Sequence, residues 1–209
     1  MIHSIISKIL TVLFPTACYG CNKRDSVLCK TCLARTRKTL STPHSYIASF
    51  YDFQDPLIKK TIHAIKYFHR KDLIPPLVQN LGDELKILAS EQPGAECVLV
   101  PIPMPLLRKY IRGYNQAELI ALEIGKHCSM QVNTTLLTRS SSPSRQATTK
   151  TRSARLKNQR NTFKVTPTNK EISVILIDDV TTTGATLEEA RKVLTIHGIK
   201  VLRAITLAH

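Results

Sequence analysis

Short runs of apolar residues alternate with amphipathic segments through the second half of the chain. The runs at 97–100, 172–177 and 200–207 predict strands, the first continuously apolar and the second apolar except for Ser173, as in strands buried on both faces. Between them, the spacing of apolar residues predicts a helix that begins after Asn115 and another over 186–196. This alternation predicts an α/β fold with a parallel sheet flanked by helices, whose ligands bind at the carboxyl ends of the strands.

The first half of the chain carries weaker patterns. Alternating apolar and polar residues over 46–53 predict a strand, and Asp55 followed by Pro56 predicts the start of a helix. A second helix is expected over 72–88, interrupted near Pro75 and Pro76.

The amino-terminal segment has the spacing of a short amphipathic helix. Its apolar positions are Ile2, Ile5, Ile6, Ile9, Leu10 and Leu13. We expect this helix to pack on the body of the protein, with reversible membrane contact as the alternative. A signal peptide is disfavoured because Lys8 interrupts the apolar stretch. No uncharged run reaches the roughly 18 residues of a transmembrane helix, so stable membrane insertion is not expected.

Four cysteines form two CxxC pairs with seven residues between them: Cys18, Cys21, Cys29 and Cys32. Each two-residue spacer allows a turn that aims both sulfurs at one ion, which favours structural Zn²⁺ in a small knuckle or ribbon. Two disulfides, a redox pair and an iron–sulfur cluster are the alternatives. Disulfides require an oxidising compartment, and nothing in the sequence signals export.

The apolar run at 172–177 ends in two carboxylates, Asp178 and Asp179, followed by a polar loop. The loop residues are Thr181, Thr182, Thr183, Gly184, Ala185 and Thr186. Backbone N–H groups at the start of the following helix can bind a phosphate, and threonine hydroxyls add donors. Carboxylates suit ribose hydroxyls or Mg²⁺. The pattern therefore predicts a sugar-phosphate site.

The chain is strongly basic, with 30 Lys and Arg against 15 Asp and Glu, a formal net charge of +15. Such a balance favours a polyanionic partner. Nine cations and no acid lie within 139–170, which predicts a basic mobile loop over about 139–164. These cations suit either a diphosphate leaving group or a nucleic-acid backbone. The candidate contacts are Arg145, Lys150, Arg152, Arg155, Lys157 and Arg160, with a second patch of Arg108, Lys109, Arg112 and Tyr114.

Aromatic residues accompany the cations at two places. In the segment 66–71, Tyr67 and Phe68 stand among residues of which four can be cationic, and Tyr110 and Tyr114 lie within the second patch. Cations beside stacking surfaces are typical of proteins that bind single-stranded nucleic acid. A solvated helix end is the alternative interpretation of the 66–71 segment.

The run from Val174 to Thr186 resembles the 5-phosphoribosyl 1-diphosphate (PRPP) motif of type I phosphoribosyltransferases. Together with Val100–Pro103, Arg112–Glu118, the stretch from Arg145 to Phe163 and the two CxxC pairs, it resembles the ComF family over nearly the whole chain.

The resemblance implies a type I phosphoribosyltransferase-like domain over 41–209, preceded by an amphipathic helix and zinc-binding module over 1–40. It also implies that Asp178 and Asp179 contact ribose hydroxyls, that 181–186 hold the 5-phosphate, and that Mg²⁺ accompanies PRPP. The implied function is that of a cytoplasmic competence protein. It would handle incoming single-stranded DNA during natural transformation, with a DNA helicase or recombination proteins as candidate partners.

Two further functions stay open at the level of sequence. One is an active phosphoribosyltransferase of nucleotide or related metabolism, for which no catalytic residue is assigned. The other is a non-catalytic scaffold for DNA-processing proteins, which would need neither Asp178 nor Asp179.

Overall fold

The computed structural model describes residues 16–39, 42, 44–90, 96–139, 162–168 and 171–209. The predicted amino-terminal helix lies outside the described residues, as do six of the candidate contacts: Arg145, Lys150, Arg152, Arg155, Lys157 and Arg160.

Five of the described strands form one parallel sheet. The strands are β1 (Ile47–Tyr51), β2 (Glu96–Pro101), β3 (Gln131–Val132), β4 (Leu137–Arg139), β5 (Phe163–Val165), β6 (Ile172–Val180) and β7 (Lys200–Ala208). The order in the sheet is β1-β7-β6-β2-β3, while β4 and β5 pair separately and antiparallel. β2 and β6 pair from Glu96 opposite Ile172 to Pro101 opposite Ile177, so their carboxyl ends lie side by side.

Seven α-helices connect the described strands. They are α1 (Lys30–Ala34), α2 (Pro56–Tyr67), α3 (Ile74–Gln79), α4 (Gly82–Ser90), α5 (Leu106–Arg112), α6 (Gln116–Cys128) and α7 (Ala185–Ile196). Asp55 caps α2 and Asn115 caps α6, as expected from the sequence. The expected interruption at Pro75 and Pro76 is wrong, because both prolines lie at the start of α3, where their missing N–H groups are not needed. The break comes at Asn80 and Leu81 instead.

Alternate side chains of β6 pack in two different apolar layers. Ile175 and Ile177 join the layer formed with α2, α3, α4 and α6, whereas Val174 and Leu176 join the layer formed with α7 and the β4–β5 pair. Both faces of β6 are therefore buried, which explains the continuous apolar run in its sequence. The prediction of a parallel sheet flanked by helices is confirmed.

The cysteine segment packs against the same core. Leu28 and Leu33 belong to the apolar layer of α2 and α3. The segment that carries the four cysteines therefore packs directly against the core of the α/β fold. Among the helices that the structure describes, none combines the length and apolarity needed to cross a membrane.

Candidate functional site: a cysteine cluster and a carboxylate cleft

The four cysteines of the CxxC pairs converge as the sequence predicts. Their sulfur atoms all lie within 4.8 Å of one another. Cys18 Sγ is 3.8 Å from Cys32 Sγ, and Cys21 Sγ is 3.7 Å from Cys29 Sγ. A tetrahedral ion with Zn–S bonds of about 2.3 Å requires sulfur–sulfur distances of about 3.8 Å. All four are free cysteines, so the cluster could hold a metal ion and fits structural zinc.

Backbone geometry at the cluster favours a thiolate at Cys18. Burial opposes its ionisation, but N–H groups, including those of Cys29 and Gly20, donate to its sulfur and lower its pKa to about 6. Burial and the neighbouring cysteine side chains raise the pKa of Cys32 to about 12. A bound cation would stabilise all four as thiolates. The close approach of the sulfurs requires glycine at position 20, because a Cβ there would lie only 2.9 Å from Cys32 Sγ.

A cleft of about 300 Å³ opens where β2 and β6 end. Its walls come from five parts of the chain: the end of α2, the loop after β2, helices α5 and α6, the end of β4, and the end of β6 with the start of α7. The polar and charged side chains that line it are Lys66, Tyr67, Arg108, Arg112, Asn115, Gln116, Arg139, Asp178, Asp179 and Thr186. The cleft is thus lined by two carboxylates together with one ammonium and three guanidinium groups.

The two carboxylates differ in their surroundings. Asp178 accepts a hydrogen bond from the backbone N–H of Asp179 at 2.8 Å, while Asp179 lies 2.9 Å from the ammonium of Lys66. Burial and the charge of Asp179 raise the pKa of Asp178 to about 8, against the opposing effects of Lys66 and Arg139.

The polar loop beside the carboxylates turns into α7 at Gly184. Its φ of +73° is the left-handed conformation that glycine adopts readily, and a Cβ there would lie 2.7 Å from His44 Cδ2. Thr182, Thr183, Ala185 and Thr186 are exposed beside the first turn of α7. Thr181 is buried and its N–H donates to Ala208 O, so its backbone is not available to a phosphate.

The second basic patch lies on α5, at the rim of the cleft. None of the residues of α5 is buried, and Tyr110 is 88% exposed. Arg108 and Arg112 line the cleft, while Lys109 pairs with Glu118 at 3.6 Å.

Tyr114 does not belong to that exposed surface. It is 6% exposed and its hydroxyl donates to Ile65 O, so its prediction as a stacking contact is wrong. The sequence pattern could not separate Tyr114 from Tyr110, because Tyr114 is buried by contacts with a distant segment that includes Ile65 of α2.

Five of the polar residues that line the cleft were not singled out for it by sequence: Lys66, Tyr67, Asn115, Gln116 and Arg139. Lys66 was predicted as part of a basic segment, yet it faces Asp179. Arg139 donates to Pro103 O at 3.4 Å, and Gln116 accepts from Arg112 at 2.6 Å. The sequence signals for Gln116 are its position directly after the cap residue Asn115 and its place within the stretch Arg112–Glu118.

No model of a protein family matches the chain. The chain is 26% identical over 198 residues to DNA utilization protein YhgH of Escherichia coli K12, covering 88% of this chain and 84% of that protein. It is 29% identical over 113 residues to competence protein F of Haemophilus influenzae, covering 53% of this chain and 49% of that protein.

Phosphoribosyltransferases are among the structural neighbours. A hypoxanthine phosphoribosyltransferase from Staphylococcus aureus has a TM-score of 0.42 and 16% identity, over 66% of this chain and 63% of that chain. By sequence, this chain is a homologue of proteins named DNA utilization protein YhgH and competence protein F, in agreement with the resemblance found in its motifs.

Proposed function

We propose that this protein acts in competence, handling single-stranded DNA that enters the cytoplasm, and that its cleft binds PRPP. The names of its relatives support the DNA role. The single observation that carries the PRPP site is the placement of Asp178, Asp179 and the start of α7 at one edge of the sheet, within one cleft.

The cleft offers a separate environment for each part of PRPP. Exposed N–H and hydroxyl groups at the start of α7 suit the 5-phosphate, because a helix amino terminus favours anions. Asp178 and Asp179 suit the ribose hydroxyls. Arg108, Arg112 and Arg139, which line the same cleft, supply positive charge for the diphosphate. Mg²⁺ would enter with the diphosphate, whose oxygens are the hard ligands that this ion prefers.

Single-stranded DNA would bind along the rim of the same cleft. Tyr110 of α5 and Tyr67 and Phe68 at the end of α2 are each more than half exposed, and the cations of α5 stand among them. The Arg112 guanidinium lies 5.4 Å from the centre of the Tyr67 ring. Exposed rings between cations offer stacking surface and backbone neutralisation together.

Calorimetric titration of PRPP with Mg²⁺ tests the cleft. We expect micromolar binding by the wild type and none by the Asp178→Ala/Asp179→Ala double variant. Asp83→Asn is the matched control, because Asp83 is exposed on α4, away from the cleft lining. Absence of wild-type binding, or equal binding by the double variant, would refute the PRPP site.

Fluorescence anisotropy with an oligo(dT) of about 20 nucleotides tests the DNA role independently. Six to ten phosphate contacts would reduce the affinity by roughly 10³–10⁵ between about 50 and 200 mM salt. A flat salt response, or equal affinity for a duplex of the same length, would contradict single-strand binding by this surface.

A second candidate function is phosphoribosyl transfer itself. The observation that favours it is the set of three arginines in the same cleft as the carboxylates, since cations there would stabilise the charge of departing diphosphate. Incubation with PRPP and candidate nucleobases, with detection of released diphosphate, distinguishes transfer from binding alone.

A further inference from the structure

The carboxylate pair of the cleft already has a cationic partner from the protein. Lys66 Nζ lies 2.9 Å from Asp179 Oδ2, and the two side chains are 24% and 15% exposed. Lys66 belongs to the last turn of α2 and Asp179 to the end of β6. An ion pair this sheltered is screened far less by salt than one on the surface.

The oxygens of the pair are largely engaged. Asp179 Oδ2 faces Lys66, Asp179 Oδ1 accepts from Val180 N at 2.7 Å, and Asp178 Oδ1 accepts from Asp179 N at 2.8 Å. Mg²⁺ demands near-octahedral oxygen ligands at about 2.0–2.1 Å. A metal ligated by Asp179 would have to displace the ammonium or compete with the Val180 N–H.

An ammonium is well suited to hold a sugar hydroxyl beside a carboxylate. It has three donors and no acceptor, and one donor is used by Asp179. A ribose hydroxyl can donate its proton to a carboxylate and accept a hydrogen bond from the same lysine. Both hydrogen-bonding roles of the hydroxyl are then satisfied inside a sheltered cleft.

We propose that the Lys66 ammonium takes the place of a divalent cation at this carboxylate pair, so that the sugar portion of the ligand binds without metal. The inference rests on the proposed function of the cleft. It defines the ligand class as pentose 5-phosphates with a free vicinal diol, PRPP among them. Mg²⁺ is then needed only by the diphosphate.

Neighbouring lysines on the same helix have different surroundings. Lys60 donates to Tyr19 O and lies over the Tyr19 ring, and Lys59 is exposed. Of these three lysines of α2, only Lys66 lines the cleft. Lys59 therefore provides a control on the same helix that removes the same charge from the chain.

The test uses ribose 5-phosphate, which has the diol and the 5-phosphate but no diphosphate. Its binding is measured by calorimetry with Mg²⁺ and with EDTA for the wild type, Lys66→Met, Lys66→Arg and Lys59→Met. We expect the wild type and Lys59→Met to bind equally well, within about twofold, in both buffers. Lys66→Met should lose at least about tenfold in EDTA, which corresponds to about 1.4 kcal/mol. Mg²⁺ should recover part of that loss, and Lys66→Arg should bind better than Lys66→Met in EDTA.

Each contrary outcome has a distinct meaning. Wild-type binding that disappears in EDTA, or Lys66→Met binding as tightly as the wild type in EDTA, overturns the role of Lys66 and leaves the PRPP site standing. Binding of PRPP without any binding of ribose 5-phosphate also overturns it. Failure of both ligands overturns the proposed function together with the inference. Thermal unfolding of each variant establishes that it folds before binding is compared.

Discussion

The Asp55 carboxylate accepts the backbone N–H of Arg37 at 3.0 Å. Its other oxygen accepts the N–H groups of Leu57 and Ile58, so one buried side chain both caps α2 and fixes the segment that leaves the cysteine cluster. The position of the cluster on the domain and the start of the helix that carries Lys66 thus depend on the same carboxylate.

Asp55→Ala is expected to lower the free energy of unfolding by about 2–4 kcal/mol. The lost cap accounts for about 1 kcal/mol, and loss of the partly buried hydrogen bond from the Arg37 N–H to the charged carboxylate for about 1–3. Urea unfolding at neutral pH measures the change, with exposed Asp83→Ala expected to stay within about 0.5 kcal/mol of the wild type.

The contribution of Asp55 should also depend on pH. Burial opposes ionisation, but the N–H donors of Arg37, Ile58 and Leu57 lower its pKa below the ordinary value. A carboxyl with a depressed pKa stabilises the folded state fully above its unfolded pKa of about 3.9 and less as the pH falls through its folded pKa. The difference between wild type and Asp55→Ala should therefore shrink below about pH 4. A difference that stays constant in acid would contradict this account.

Asp178 gives a pH dependence of the opposite sign. Burial and the charge of Asp179 raise its pKa to about 8, so the folded protein retains a proton that the unfolded chain releases above about pH 4. Because the folded state binds more protons in that window, its free energy of unfolding falls as the pH rises towards 8. Asp178→Asn lacks this titration, so its stability relative to the wild type should increase between about pH 5 and about pH 8.5. Urea unfolding at the two pH values measures it, and an unchanged difference would contradict the assignment.

The cysteine cluster predicts one zinc ion per chain. Cys18→Ser and Cys29→Ser should each abolish stoichiometric zinc, because a structural site needs all four ligands. Cys97→Ser removes a cysteine outside the cluster and should retain the metal. Elemental analysis of the purified variants gives the stoichiometry, and chelation of the wild type should reduce its resistance to proteolysis around residues 16–36. Full zinc content in Cys18→Ser would contradict the site.

Gly184→Ala should impair phosphate binding more than overall stability. The added Cβ would sit at a φ of +73° and 2.7 Å from His44 Cδ2, so the turn into α7 must shift. We expect at least a tenfold weaker affinity for PRPP, measured by calorimetry. Gly198→Ala has a similar φ of +76° but an open environment at the other end of α7, and should bind PRPP like the wild type.

The two tyrosines near α5 should respond differently in DNA binding. Tyr110→Ala removes an 88% exposed ring and should cost about 1–3 kcal/mol of affinity for single-stranded DNA. Tyr114→Phe alters only a buried hydroxyl bonded to Ile65 O and should leave that affinity unchanged. Anisotropy titrations at one salt concentration compare them. A larger effect from Tyr114→Phe would place the DNA elsewhere.

Local patterns sufficed for much of this fold. The runs that became β2, β6 and β7 are continuous or nearly so because burial on both faces requires apolar side chains at consecutive positions. The caps Asp55 and Asn115 were predictable because each acts on N–H groups two or three residues away. The cysteine cluster was predictable for the same reason, because the two cysteines of each CxxC pair are only three positions apart.

What the sequence did not reveal depends on contacts between distant segments. Lys66 and Asp179 meet only when α2 packs against the sheet, and no spacing rule links positions so far apart. The short strands β3, β4 and β5 have two or three residues each, too few for any periodicity to indicate them. Tyr114 was misjudged for the same reason, since its burial comes from contacts with a distant segment that includes Ile65.

The strand order has a consequence for synthesis on the ribosome. β1 joins the sheet only through β7, and the hydrogen bond between Ser49 and Thr206 spans 157 residues of chain. Until β7 has emerged, β1 is paired only with the short segment before it, through an antiparallel bridge between Lys38 and Tyr51, and β6 lacks one of its two neighbours. Pairing of parallel strands over such a sequence separation is slow. A strand whose backbone edge is unpaired during that time is prone to aggregate. Co-translational folding of this protein should therefore stall with an unprotected sheet edge, the state that a nascent-chain chaperone would bind.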